Sequence, residues 1–463
     1  MKLKKLEITN FRCFESLSID LDEQLAVLVA KNGQGKSLVL DAIRIGLWSF
    51  VGGFDLAHTG YNDPANAISV DDVRMLRKPD RQMVRQLPCK ITLQGDVDTS
   101  LIERQNPMQA RTWTRFRESE APRTKTKDDG ASKKINILAS IVQDRIRDSE
   151  SSDVDLPVIG YYGTGRLWSQ KRLTERKINQ GADFYMRLFA YRDCLDPASS
   201  YKHFADWFTW IFESYREDQI KQTEKGLSSA MNSKWKDTIF VVQQAINDVL
   251  QEETGWHNLE YSVSDEKSLI LNHDRHGKLK VGQLSDGIRG VLAMVGDIAY
   301  RCIKLNPHLS LNAAKESSGI VMIDEVEMHL HPAWQQTILS NLIKAFPKIQ
   351  FIVTTHSPQV ISTVPSHQIR ILADNRVTSA EAGTQGAEAS RILNEVFGVE
   401  LRAQNLEIVQ KLNRYLELID DDKWDMEEAL TLRQALDEWS RGNEPELVKA
   451  DIDIRMKEFQ RQL

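Results

Sequence analysis

A glycine-rich turn between a continuous apolar run and a helical pattern is the feature of this sequence that most restricts its fold. The run at 25–30 (LAVLVA) is typical of a buried central strand, and residues 37–48 space their apolar side chains as a helix does. Between them lie, in order, Asn32, Gly33, Gln34, Gly35, Lys36 and Ser37. Successive N–H groups in such a turn, followed by a helix N-terminus, can surround phosphates. The sequence therefore predicts a phosphate-binding loop at the end of a buried strand.

Two side chains of this phosphate loop (Asn32–Ser37) indicate ATP and Mg²⁺ as its ligands. Lys36 would reach the β- and γ-phosphates as a point charge, and the Ser37 hydroxyl would bind Mg²⁺. The strict G-x-x-x-x-G-K-[ST] pattern fails at its first glycine, where Ala30 stands, but the strand–loop–helix context matches. The loop residues expected to bind the nucleotide are Asn32, Gly33, Gly35, Lys36 and Ser37.

Polar residues with a chemical role are also expected after two later apolar strands. Residues 319–323 precede an acidic pair, in which Asp324 would bind the Mg²⁺ shell through water and Glu325 would polarise the attacking water. The strand at 350–355 is followed by His356, which can hydrogen-bond the γ-phosphate. A lone histidine at a strand end is usually structural. The order of the motifs nevertheless favours catalytic roles for Glu325 and His356.

A second potential anion site lies about forty residues ahead of the acidic pair. Ser285, Asp286 and Gly287 open a predicted helix at 288–300, and a Ser and a Gly at a helix N-terminus can bind an anion. The chain already has one phosphate loop. We therefore interpret this signature segment (Ser285–Gly287) as contacting the nucleotide of another subunit.

The motif order resembles the ABC ATPase superfamily, specifically its RecF, SMC and OLD branch. The resemblance implies an α/β head with a mixed or parallel sheet, ATP hydrolysis, and a homodimer or higher homo-oligomer in which Ser285 and Gly287 close on the opposite subunit's ATP. The opening NFRCF also resembles the branch's first strand motif, where Arg12 would approach the nucleotide. Two residues are compatible with slow ATP hydrolysis: Ala30 would alter the phosphate loop, and Asp286 would place a carboxylate near the partner's phosphates.

Four regions follow from this resemblance. They are the N-terminal part of the head at 1–166, a helical insertion at 167–255, the C-terminal part of the head at 256–383, and a helical C-terminal region at 384–463. The insertion is too short for the coiled coil of SMC proteins. The last region looks helical and lacks the α/β nuclease domain of OLD proteins, so we expect no nuclease centre in this chain.

The amino-acid sequences of the motifs and the total length resemble those of the standalone ATPases of bacterial anti-phage systems, the PtuA family of Septu. This family also occurs with some retrons. This resemblance implies an HNH nuclease partner of the PtuB type. The alternative is a RecF-like repair ATPase that clamps DNA when ATP closes the dimer, with DNA contacted directly or through a partner. A copurifying nuclease would distinguish the defence ATPase, whereas a basic strip across the paired heads would distinguish the DNA clamp.

Composition excludes several other classes. The chain has 60 Lys+Arg against 66 Asp+Glu, so any DNA contact must be a local patch. No two of the four cysteines form a Cys-x-x-Cys pair, and no apolar stretch reaches the roughly 20 residues that span a bilayer. Residues 1–7 lead directly into a strand pattern, so we expect no signal peptide. We expect a cytoplasmic protein without membrane contact. The charged segment 115–134 predicts an exposed or disordered loop.

Overall fold

The computed structural model of the 463-residue chain describes residues 1–58, 64–98, 108–121, 124–148, 154–167, 185–197, 200–224 and 234–461. These residues form two compact units, Met1–Ile392 and Leu393–Leu463. Strands occur in the first unit, and the described part of the second unit is helical.

The strands, in chain order, are β1 (Lys2–Phe11), β2 (Phe14–Asp20), β3 (Leu25–Ala30), β4 (Met75–Arg77), β5 (Met83–Arg85), β6 (Cys89–Asp98), β7 (Met108–Arg117), β8 (Lys127–Asp128), β9 (Val158–Tyr162), β10 (Trp256–Ser262), β11 (Ser268–His273), β12 (Gly277–Lys280), β13 (Gly319–Ile323), β14 (Ile349–Thr355), β15 (Ile369–Ala373) and β16 (Arg376–Ser379). The helices are α1 (Lys36–Val51), α2 (Gly130–Arg147), α3 (Ser200–Glu224), α4 (Lys234–Thr254), α5 (Asp286–Leu305), α6 (Ala313–Glu316), α7 (Pro332–Gln335), α8 (Ile338–Ala345), α9 (Pro358–Ile361), α10 (Ala389–Glu395), α11 (Glu407–Asp420), α12 (Glu427–Ser440) and α13 (Pro445–Arg461).

A six-stranded sheet with the order β16-β15-β3-β14-β13-β9 forms the centre of the first unit. The five strands from β15 to β9 are parallel, and β16 pairs antiparallel with β15. Every residue of β3, β13, β14 and β9 is buried, as expected for parallel strands covered on both faces. The carboxyl ends of these four neighbouring strands therefore meet at one edge of the sheet, where an open α/β sheet binds its ligands.

A second, antiparallel sheet has the order β2-β1-β6-β7-β8. Helix α1, which follows the phosphate loop, contacts strands of both sheets. Gly46 permits this packing, because a Cβ there would lie 2.4 Å from Leu93 Cδ1, and the Gly46 carbonyl accepts a 3.0 Å hydrogen bond from Trp113 Nε1. The position of α1 is thus set by the core of the head.

The signature segment stands at the start of the long helix α5. Helices α3 and α4 pack against α5, and α4 also contacts the three-stranded antiparallel sheet β10-β11-β12. Trp207 and Phe212 of α3 are buried, and the Trp207 ring lies 5.0 Å from that of Tyr300 on α5. These aromatic side chains belong to the core.

The second unit packs α11, α12 and α13 around apolar side chains that include Leu412, Tyr415 and Leu436. At the end of α11, Asp422 pairs with Lys457 at 2.8 Å. No cluster of three or more potential metal-ligating side chains occurs in the part of the chain that the structure describes. Nor, within the same ranges, does any helix combine the length and apolar character that crossing a bilayer requires.

The predicted fold class is confirmed: an α/β head carries a helical insertion and a helical C-terminal extension. The strands expected at 25–30, 319–323 and 350–355 and the helices expected at 37–48 and 288–300 are present, with ends that differ by at most a few residues.

The prediction of an exposed loop over the whole of 115–134 is wrong, although the described residues between β7 and β8 (118–121 and 124–126) form neither strand nor helix. Strand β7 extends into this segment, and both β8 and the start of α2 lie within it. Arg115 and Arg117 are buried. Arg115 donates to the Ile45 carbonyl at 2.8 Å and pairs with Asp128 at 2.8 Å. Buried charges satisfied by such partners are not visible in local composition, which is why the segment resembled a solvated connector.

Candidate nucleotide-binding site

The phosphate loop has the backbone that its glycines predict. Gly33 and Gly35 have φ of 80° and 92°, in the left-handed region that L side chains rarely adopt. A Cβ at Gly35 would also lie 2.5 Å from Phe14 Cζ. Asn32, Gly33 and Ser37 are exposed, so the outer face of the loop is open to a ligand.

Lys36 lies inside the loop with little exposure. Its Nζ donates a 2.9 Å hydrogen bond to the carbonyl of Ala30, the residue that departs from the strict loop pattern. Burial lowers the pKa of Lys36, and this effect is opposed by the charges of Asp324, Glu325 and Glu327. A cation held in this way can transfer its hydrogen bonds to phosphate oxygens.

Asp324 joins the ends of four neighbouring strands. Its Oδ2 accepts a 2.9 Å hydrogen bond from Ser37 Oγ, and its Oδ1 accepts one of 2.6 Å from Thr354 Oγ1. Its backbone N–H donates to the Tyr162 carbonyl at 2.8 Å. The phosphate loop after β3, the acidic pair after β13, and the ends of β14 and β9 therefore form one connected edge.

The oxygens of Ser37 and Asp324 fit a magnesium ion. Hydroxyl and carboxylate oxygens are hard donors, and Mg²⁺ binds its octahedral ligands at about 2.0–2.1 Å. Ser37 Oγ donates a 2.9 Å hydrogen bond to Asp324 Oδ2, so the two oxygens lie close enough for Ser37 to bind the ion and for Asp324 to accept from a water molecule of its shell.

Glu325 and His356 flank Asp324. Glu325 has a φ of 48°, and its N–H donates to Thr354 Oγ1 at 2.8 Å, so Thr354 contacts both members of the acidic pair. The backbone N–H of His356 donates a hydrogen bond to Glu327 Oε1 at 2.6 Å. Burial and the charge of Lys36 lower the pKa of His356, although the nearby carboxylates oppose this. The lowered pKa favours the neutral form of the imidazole.

The signature segment begins helix α5 and touches the loop after the acidic pair. Ser285 is the N-cap residue and accepts from the Ile288 N–H at 3.5 Å, and the exposed Asp286 pairs with Arg289. Gly287 is buried, and a Cβ there would lie 2.4 Å from the His329 carbonyl oxygen. The segment thus presents a serine and a carboxylate to solvent from a fixed backbone.

Arg12 lies beside α1. Its backbone has a φ of 50°, its Nη1 donates to Asp41 of α1 at 2.8 Å, and its Nε donates to Asp72 at 2.7 Å. The two carboxylates hold the guanidinium close to the helix that begins at Lys36.

Several residues of this site were missed from the sequence. Thr354 and Glu327 support the acidic pair and His356, while Tyr162 supplies a carbonyl to Asp324. The only signals were positional: Thr354 precedes His356 by two residues, and Glu327 follows Glu325 by two. Neither spacing distinguishes a supporting residue from an ordinary polar one.

Comparisons with known proteins agree with this geometry. A family model described as an AAA domain matches residues 5–253, more than half of the chain. The Retron Ec83 probable ATPase of Escherichia coli is 27% identical over an alignment covering 99% of this chain and 87% of that protein. The Retron Vc95 probable ATPase of Vibrio cholerae is 25% identical, with 80% and 73% covered.

A shorter match links the chain to the Septu protein PtuA of Bacillus mycoides, at 39% identity over 101 residues, or 22% of this chain and 13% of that protein. Among solved structures, an SmcHead bound to the C-winged helix domain of ScpA aligns with 82% of this chain and 98% of its own, at 13% identity and a TM-score of 0.46. The family match and the strand-end motifs together show that the chain belongs to the AAA domain family and is an ATPase of the ABC class, of the RecF, SMC and OLD branch.

Proposed function

We propose that the chain binds and hydrolyses ATP at a site shared by two copies, as the ATPase subunit of a bacterial anti-phage defence complex that regulates an associated HNH nuclease of the PtuB type. The observation that carries the ATP site is the 2.9 Å contact of Ser37 Oγ with Asp324 Oδ2, which joins the phosphate loop to the acidic pair. Lys36 lies at the same edge.

Each residue at this edge has a distinct task in the proposal. The backbone of Asn32, Gly33 and Gly35 surrounds the phosphates, Lys36 neutralises their charge, and Arg12 approaches the nucleotide. Ser37 and Asp324 hold Mg²⁺, which supplies further charge neutralisation. Glu325 takes the proton of the attacking water, and His356 donates a hydrogen bond to the γ-phosphate.

The second copy contributes Ser285, Asp286 and Gly287. Exposure of Ser285 at the N-terminus of a 20-residue helix supports a contact with an anion outside the chain's own loop. The carboxylate of Asp286 opposes such a contact, and its pairing with Arg289 offsets part of its charge. A two-fold arrangement then forms two equivalent sites from the same pair of surfaces, so that ATP binding closes the dimer.

The defence role is supported by the kind of relatives found. Two proteins named as retron ATPases align with most of the chain, and a Septu protein aligns with a part of it. An ATPase that changes dimer geometry with its nucleotide can permit or block a bound nuclease.

DNA clamping is the second candidate, and the hairpin β4–β5 favours it. Arg77, Lys78 and Arg81 are exposed there and have no ion-pair partner among the residues that the structure describes. Such cations can contact a phosphate backbone without sequence preference.

Copurification with a nuclease tests the proposal. We expect an HNH nuclease encoded beside this chain to copurify with it, and the DNA cleavage of the complex to change with ATP. The complex containing Lys36→Ala should lose that response. A chain that binds no nuclease, or a complex whose cleavage ignores ATP, would overturn the defence role. ATP-dependent DNA binding by the chain alone, weakened by Arg77→Ala, would favour the clamp.

A further inference from the structure

A buried charged cluster lies between the signature helix α5 and strand β9. Asp297 and Arg301 of α5 and Tyr162 of β9 are each 0–1% exposed. Asp297 Oδ2 accepts hydrogen bonds from Tyr162 Oη and from Arg301 Nε, both at 2.8 Å. Arg301 also donates to the Ala190 carbonyl. The cluster therefore ties α5 to two neighbouring segments by directional bonds.

Tyr162 connects this cluster to the ATP site. Its carbonyl accepts from the N–H of Asp324 at 2.8 Å, while its hydroxyl donates to Asp297 on α5. One residue thus contacts both the acidic pair and the signature helix. Asp297 lies twelve residues beyond Ser285, or about 18 Å along a rigid helix, so its placement orients the signature segment.

Stability alone is a poor explanation for this cluster. Replacing a buried ion pair with apolar side chains is often neutral or stabilising, because both charges must be desolvated. Asp297 Oδ1 is also buried without a hydrogen-bond partner in the described part of the chain. What the cluster provides over an apolar contact is a single defined placement of α5 relative to β9.

We propose that Tyr162 and Asp297 are positioning residues that transmit nucleotide-dependent movement of Asp324 to the signature helix. The inference rests on the proposed function, since it assumes that Asp324 responds to a magnesium-bound nucleotide, MgADP included, and that the signature segment meets a second copy. A shift of the acidic pair would move the Tyr162 peptide, and the Tyr162 hydroxyl would carry α5 with it.

Tyr162→Phe removes one hydroxyl and leaves Asp297 paired with Arg301. The matched control is Tyr300→Phe on α5, which removes a hydroxyl that is equally buried and has no hydrogen-bond partner among the described residues. Hydrogen exchange of the full chain would be measured with and without MgADP, at the loop amides 33–38 and the helix amides 287–293. Steady-state kcat and KM for ATP would be measured in parallel.

In Tyr162→Phe we expect nucleotide still to slow the exchange of the loop amides, and the KM for ATP to stay within about twofold of wild type. The helix amides should no longer respond to nucleotide, and kcat should fall at least about tenfold. A fall of this size is in line with the loss of a hydrogen bond to a charged group. Tyr300→Phe should behave as wild type. The inference would be overturned, with the proposed nucleotide site left standing, by either of two results. One is an equal kcat in Tyr162→Phe and Tyr300→Phe. The other is a wild type in which nucleotide protects the loop amides but not the helix amides. A wild-type loop that shows no protection would instead overturn the proposed nucleotide site.

Discussion

Replacement of Gly287 by alanine should destabilise the head even without nucleotide. The added Cβ would lie 2.4 Å from the His329 carbonyl oxygen and 3.2 Å from its carbon, so the two segments must separate by about 1 Å to reach ordinary van der Waals distance. The obstacle is backbone, and the His329 backbone is already left-handed with a φ of 63°. Overpacking of this kind costs about 1–3 kcal/mol.

The shift would reach the acidic pair through the intervening turn. The N–H of Leu330 donates to the Glu327 carbonyl at 2.9 Å, and that of Met328 donates to the Glu325 carbonyl at 3.0 Å. Gly287→Ala should therefore lower the unfolding midpoint of the nucleotide-free protein by about 1–4 °C, retain MgATP binding, and slow hydrolysis.

Thermal unfolding, calorimetric titration with MgATP and phosphate release would measure the three effects. Gly282→Ala is the matched control, because a Cβ there has no atom within 4 Å. If the nucleotide-free Gly287→Ala protein has the same unfolding midpoint as wild type and as Gly282→Ala, the signature segment does not pack against His329. Hydrolysis would then depend on Gly287 only across the dimer interface.

Three further substitutions test separate parts of the account. Lys36→Ala should abolish the stabilisation of about 2.7 kcal/mol that MgATP at 100 times its Kd gives wild type, and equal thermal shifts would contradict the loop assignment. Glu325→Gln should bind ATP but hydrolyse it about 10²–10⁴-fold more slowly, because the amide cannot take a proton; undiminished phosphate release would exclude Glu325 as the base. Burial lowers the pKa of Lys304 to about 8, although its Nζ lies 5.4 Å and 5.6 Å from the ring centroids of Phe189 and Tyr300, which favours the charged form. Wild type should therefore gain stability as the pH rises from about 8 towards the ordinary Lys pKa of 10.5, and denaturant titrations of Lys304→Met should lack this gain.

The strand-end residues could be predicted because their local signals and the topology agree. Lys36, Asp324 and His356 each follow or adjoin a short apolar run, and parallel strands place their carboxyl ends at one edge. The order of the runs along the chain was sufficient to expect one site, although the neighbours of each strand were not known.

The supporting contacts could not be predicted because they join residues far apart in sequence. Tyr162 and Asp297 are 135 positions apart, and nothing near either residue indicates the hydrogen bond between them. Arg115 and Arg117 had the composition of a solvated segment, yet their guanidinium groups satisfy backbone carbonyls inside the head. Local composition indicates only how exposed a segment is on average, whereas the burial of these residues depends on specific tertiary partners.

Complementation between two defective subunits tests the shared ATP site most directly. Ser285→Arg should bind ATP yet fail to close the dimer, and Lys36→Ala should fail to bind ATP. A heterodimer of the two, verified by separate tags, contains one site with an intact phosphate loop facing an intact signature segment. We predict that such heterodimers recover hydrolysis at about half of their sites, from the symmetry of a two-fold interface. Heterodimers without any recovered hydrolysis, alongside an active wild type, would contradict the shared site.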